Sequence, residues 1–138
     1  MRKRLQKKFG GAKKIITFAE NIIHKPMNVS FADKKLEQCS EDGRYCVKYL
    51  GQKRAKIFMT RITNLKAASN LEDVRYLPGK FHELVGDRKG QWACDLDQPY
   101  RLIFEPHEEP IPTDANGRYI WLEIKGVEII EITNYHGK

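Results

Sequence analysis

Between Phe81 and Glu105 the chain reads FHELVGDRKGQWACDLDQPYRLIFE, and two period-two runs within it limit the fold more than any other feature. In 91–96, Gln91, Ala93 and Asp95 fall on one side of an extended chain and Trp92, Cys94 and Leu96 on the other. That is the pattern of a strand with one face on a core. In 100–105, Leu102 and Phe104 share a side, while Arg101, Ile103 and Glu105 share the opposite one. Asp97-Gln98-Pro99 leaves room only for a compact turn, so the two runs form a hairpin. Arg101 then sits mid-strand, where packing holds its guanidinium in a fixed direction; the plainer alternative is a solvent-facing arginine. A charged loop, Gly86-Asp87-Arg88-Lys89-Gly90, and a histidine at 82 precede the hairpin.

A chain of 138 residues, 41% hydrophobic and 31% charged, makes one globular domain with a real core and little room for a second. Its apolar runs are only a few residues long, too short for a membrane span or the hydrophobic centre of a signal peptide. Cys39, Cys46 and Cys94 are an odd number at spacings that suit neither a disulfide framework nor a zinc knuckle, and they predict reduced thiols in a cytoplasmic protein.

The net charge of +7 is unevenly placed. Seven basic residues and no acid fall within 2–14, and the rest of the chain balances at 18 basic and 18 acidic residues. A second basic stretch, 43–71, contains no Asp or Glu and carries Arg44, Lys48, Lys53, Arg54, Lys56, Arg61 and Lys66. Such a surface gathers polyanions and makes their complexes salt-sensitive. A solvated helix face is the plainer reading.

In chain order, residues 4–24 have the three- and four-residue apolar spacing of an amphipathic helix, weakened at Gly10-Gly11 and ended by Pro26. This divides the chain into a basic helical extension, 1–26, and a domain, 27–138; Met27 is itself a plausible start for that domain. A short strand is predicted over 27–31 and a helix over 32–41, with Leu36 and Cys39 inward and Gly43 as its breaker. A stronger helix follows over 51–68, with Ala55, Phe58, Ile62 and Leu65 as one apolar stripe. The two make a helical hairpin able to cover one face of a sheet. Asn70 is placed to cap a turn of helix at 71–74, with Asp73 as its N3 acid, and Pro78-Gly79 closes that turn.

Past Glu105, three prolines and Asp114-Ala115-Asn116-Gly117 describe an acidic irregular loop. Residues 119–125 read either as a strand or as a buried turn packed through Trp121 and Ile124. The last strand, 127–133, delivers Asn134-Tyr135-His136 to the end of the chain. The sequence holds no repeat, no glycine-rich nucleotide loop and no metal-spaced histidine cluster.

Of the four histidines, His82 opens a β-type run and His136 follows the last strand beside Tyr135. A terminal Tyr-His pair most often frays in solvent. If the last strand is interior to the sheet, however, its end lies near Arg101 and His82, and the group suits chemistry at a 2′-hydroxyl and its neighbouring phosphate. Histidine exchanges protons near neutral pH. Arginine offers a fork of charged donors where negative charge builds, and tyrosine stacks on a base or orients a phosphate.

Four motifs extend this reading: Leu71-Glu72-Asp73-Val74-Arg75-Tyr76-Leu77-Pro78-Gly79, His82-Glu83-Leu84, Gly86-Asp87-Arg88-Lys89-Gly90-Gln91-Trp92 and Tyr100-Arg101-Leu102-Ile103-Phe104-Glu105. Together with Asn134-Tyr135-His136, they resemble the HigB group of the RelE/ParE toxin superfamily, the killer proteins of bacterial toxin–antitoxin pairs. The resemblance covers most of 45–105 and the carboxyl end. It implies an α+β fold of the small microbial RNase kind, a twisted, mainly antiparallel sheet with helices on one side.

It also implies a toxin of a type II system, an mRNA interferase that cuts message in the ribosomal A site without a cofactor. A cognate antitoxin carrying a helix-turn-helix domain would hold it inactive. By motif, His82, Arg101, Tyr135 and His136 take the catalytic positions. Lys48, Lys53, Arg54, Lys56, Arg61, Lys66, Lys80, Arg88, Lys89 and Asn134 form the expected RNA-contacting set. Two positions depart from the family pattern. Asn134 stands where an aspartate is common and retains only hydrogen bonding, and Val85 stands where a lysine is frequent, leaving Lys80 or Lys89 to supply that charge. The alternatives are a non-enzymatic inhibitor of DNA gyrase, of the ParE type, and an inactive paralogue that keeps only its binding surfaces.

Overall fold

The computed structural model describes residues 25–134. The helix expected at 4–24 and the Tyr135-His136 pair lie outside the described residues. Five strands form one sheet: β1 (Asn28–Phe31), β2 (His82–Glu83), β3 (Trp92–Asp95), β4 (Tyr100–Pro106) and β5 (Gly126–Asn134), in the order β1-β5-β4-β3-β2. Among the described residues, only the β1–β5 pairing is parallel. The fold is α+β, with helices on one face of a mostly antiparallel sheet.

The helical layer holds α1 (Lys34–Glu41), α2 (Gly43–Leu50) and α3 (Gln52–Ala67), and a single turn, α4 (Leu71–Val74), follows. The helix α2 was not expected, because Gly43 reads as a breaker. Instead the Asp42 carboxylate accepts from the amides of Arg44 and Tyr45 at 3.0 and 3.1 Å, and this cap restarts the helix at Gly43. Asp33 caps α1 in the same way through Lys35 and Leu36. Gly51, at φ 89°, turns the chain between α2 and α3 in a conformation that a side chain would strain. Asn70 caps α4 by accepting from the Asp73 amide at 3.0 Å, as its sequence predicts.

The core lies between these helices and one face of the sheet. Ala55, Phe58, Ile62 and Leu65 of α3 meet Trp92, Cys94, Leu102, Phe104, Val127 and Ile129, all buried. Removing each large apolar side chain from water contributes about 1.5–3 kcal/mol. Phe104 packs against Phe81 and Trp92 with centroids 6.2 and 6.5 Å apart. Trp121 meets Trp92 edge-on at 5.4 Å. The second reading of 119–125 is therefore the observed one: Trp121–Glu123 is a 3-10 turn, with Trp121 and Ile124 buried.

The strand β5 carries a bulge. Phe104 pairs with Ile129 and Ile103 with Glu131, so Ile130 is the extra residue. An unbroken strand would put 127, 129, 131 and 133 on one face. The bulge reverses that parity, keeping Val127 and Ile129 in the core while Glu131 and Thr133 share the opposite face with Ile103 and Arg101. Ala93 and Ile103 sit on this outer face outside the core cluster, yet both are fully buried. From the 86–88 turn, Arg88 reaches across to Glu131 and also donates to the Gln91 side chain.

Candidate functional site

Strand parity assembles the site on the outer face. His82 pairs with Ala93, Ala93 with Ile103, Asp95 with Arg101 and Arg101 with Thr133. Lys80, His82, Asp95, Gln98 and Arg101 line one cleft of about 320 Å³. Two of the four residues expected to be catalytic, His82 and Arg101, thus meet in one concavity with Lys80, a residue of the expected RNA-contacting set. Asp95 was not singled out from the sequence; it shares the outer-face parity of Arg101, so alternation in 91–96 was the signal that could have found it. Gln98 had no such signal, because a turn residue's direction is set by tertiary packing.

Backbone geometry fixes the histidine. Its Nδ1 lies 2.7 Å from the Lys80 carbonyl oxygen. A carbonyl can only accept, so Nδ1 carries the hydrogen and Nε2 keeps the lone pair of the neutral ring. Lys80 presents that carbonyl from a left-handed backbone conformation, φ 55°. Such a conformation is uncommon for a residue with a side chain and persists only where its surroundings impose it.

The expected RNA-contacting residues separate into two groups. Lys48, Lys53, Lys56 and Lys66 are exposed along α2 and α3, and Lys80 and Lys89 are exposed near the sheet. The others are engaged within the domain. Arg54 grips Asp97 and lies on Tyr100, Arg61 donates to the Asp95 carbonyl at 2.7 Å, and Arg88 pairs with Glu131. Asn134 is in register with Tyr100, on the strand parity opposite to that of Arg101.

Two other concavities differ in character. A groove of about 540 Å³ between the 87–91 loop and the 105–119 loop is larger than the cleft. Its carboxylates, Asp87, Glu105, Glu108 and Glu109, outnumber its cations, Arg88 and Lys89. A polyanion is disfavoured there and favoured in the cleft, where Lys80 and Arg101 face one carboxylate. At the β1–β5 end, Asn28, His107, Glu108, Lys125 and Gly126 line a smaller concavity; there His107 Nε2 lies 2.7 Å from Ser30 Oγ, and the imidazole lies against Gly126. Sequence reasoning gave neither Ser30 nor His107 a part.

Among the described residues, no three His, Cys, Asp or Glu side chains are grouped to hold a metal ion, and no helix is long and apolar enough to cross a membrane. No protein-family model and no curated protein sequence matches the chain. Among solved structures, a YoeB/ParE toxin from Agrobacterium tumefaciens is similar at 13% identity and a TM-score of 0.42, covering 80% of this chain and all of that one. Likeness of that degree assigns no residue a role.

Proposed function

We propose that the protein is a ribosome-dependent mRNA endoribonuclease, the toxin of a type II toxin–antitoxin pair and a member of the HigB group. The observation that carries this reading is the meeting of His82, Arg101 and Lys80 in one cleft. The reaction is attack by the substrate's 2′-oxygen on the adjoining phosphate. The P–O5′ bond breaks, leaving a 2′,3′-cyclic phosphate and a free 5′-hydroxyl. One histidine takes the 2′ proton and another returns a proton to the leaving 5′-oxygen, with His82 and His136 filling these two roles. Arg101 stabilises charge building on the phosphate, Lys80 adds to the local potential, and Tyr135 orients the nucleotide.

The end of β5 supports the part given to the terminal pair. This strand is interior to the sheet, and Thr133 is the direct neighbour of Arg101, so the chain leaves the described structure beside the cleft. Lys48, Lys53, Lys56 and Lys66 provide a separate cationic surface for ribosomal RNA, and a helix-turn-helix antitoxin is the partner that holds the enzyme inactive.

Cell-free translation followed by primer extension tests the reading. Wild-type protein is expected to produce discrete stops within translated message, and His136→Ala to remove them. Intact message with both proteins would refute the nuclease reading. Inhibition of supercoiling by purified gyrase in the same preparation would put a gyrase inhibitor in its place.

A further inference from the structure

We infer that Arg61 is a positioning residue for His82, acting through the Gly79–Lys80 turn and not by touching substrate; this rests on the cleft being the site of chemistry. Arg61 belongs to α3, beside the buried Ile62, in the helical layer and not on the outer face. Its Nε donates to the Asp95 carbonyl at 2.7 Å. The guanidinium lies so close to Gly79 that a Cβ there would come 2.7 Å from both Cζ and Nε. Gly79 also has φ 115°, so both the close approach and the backbone conformation require glycine.

The Asp95 amide in turn donates to the Gly79 carbonyl at 2.8 Å. Arg61 therefore ties β3 and the 79–80 turn together from the helix side. Two consecutive residues with positive φ, Gly79 and Lys80, then aim the Lys80 carbonyl at His82 Nδ1, 2.7 Å away. A left-handed lysine relaxes to an ordinary conformation once its surroundings stop imposing it. Its carbonyl then turns away and the imidazole is no longer restricted to one tautomer. Arg61 sits in the basic stretch 43–71, but its donor is spent inside the domain, so its role differs from that of the exposed lysines around it.

The test is the ¹⁵N spectrum of His82 in histidine-labelled full-length protein, read at a pH where the ring is neutral. Wild type is expected to show the Nδ1-protonated tautomer alone. Arg61→Gln and Arg61→Lys are both expected to give a mixture of tautomers. The lysine variant keeps the charge but not the fork, and it decides the matter if the glutamine variant does not fold. Phe58→Leu, a destabilising change one turn away on the same helix, is expected to leave the His82 signals in place. An Nε2-protonated ring in wild type, unchanged signals in the folded Arg61 variant, or an equal change in Phe58→Leu would each overturn the inference. The spectrum is independent of activity: a wild type with the expected tautomer that cuts no message would end the nuclease reading and leave the positioning role standing.

Discussion

Arg54 lies on the face of Tyr100, its Cζ 3.6 Å from the ring centroid, while Nε and Nη2 hold the two carboxylate oxygens of Asp97 at 2.8 and 3.1 Å. One side chain from α3 thus clamps both ends of the turn joining β3 to β4, the turn that carries Gln98 into the cleft. Arg54→Ala removes fork and stacking together and leaves a carboxylate only 16% exposed without its cation. Urea unfolding is expected to show a loss of about 1–3 kcal/mol. An unchanged midpoint would mean that the pair behaves as an ordinary surface bridge.

The same contact makes stability depend on pH. Hydrogen bonds from Arg54 are the main cause holding the Asp97 carboxyl below its usual range. A group with a lower pKa folded than unfolded stabilises fully above its unfolded pKa, and that contribution is lost as pH falls through the folded value. Asp97→Asn is therefore expected to be less stable than wild type at neutral pH, with the gap closing in acid below the ordinary carboxylate range. A gap of constant size across that range would contradict the assignment.

Gly126 has no side chain because His107 occupies the space where a Cβ would stand. Gly126→Ala pushes the imidazole off Ser30, breaking a 2.7 Å hydrogen bond at the β1–β5 junction. Thermal unfolding should reveal a destabilisation of about 1–3 kcal/mol, and Ser30→Ala combined with it should add little, because both changes remove one contact. Full additivity would show that the two residues act separately.

The three cysteines are buried. Burial, and then the neighbouring Cys46, push the Cys39 thiol up to about 12, and burial raises Cys46 and Cys94 as well. Thiolate is the reactive form, so iodoacetamide at mildly alkaline pH should leave all three unmodified in the native protein and label all three in urea. Rapid native labelling of any of them would contradict this packing.

Where local chemistry decides structure, the sequence was readable. Alternation placed Arg101 opposite Leu102 and Phe104, Asn70 announced its own turn of helix, and the Ala55–Leu65 stripe fixed which side of α3 is inward. Long-range terms were less accessible. The bulge at Ile130 reverses the parity of β5, and without it Glu131 and Thr133 would face the core. Gly43 reads as a breaker unless the Asp42 cap is known to form. Arg54 and Arg61 look like their exposed lysine neighbours in sequence, and only the position of the β3–β4 turn shows that their donors are used inside the domain.

The most direct test of the central claim is the rate at which Arg101→Ala cuts ribosome-bound message, measured beside wild type by primer extension and paired with thermal unfolding to establish an intact fold. If Arg101 stabilises charge on the phosphate, the folded variant loses about 100-fold or more in rate. Cleavage by the folded variant at the wild-type rate would contradict the account.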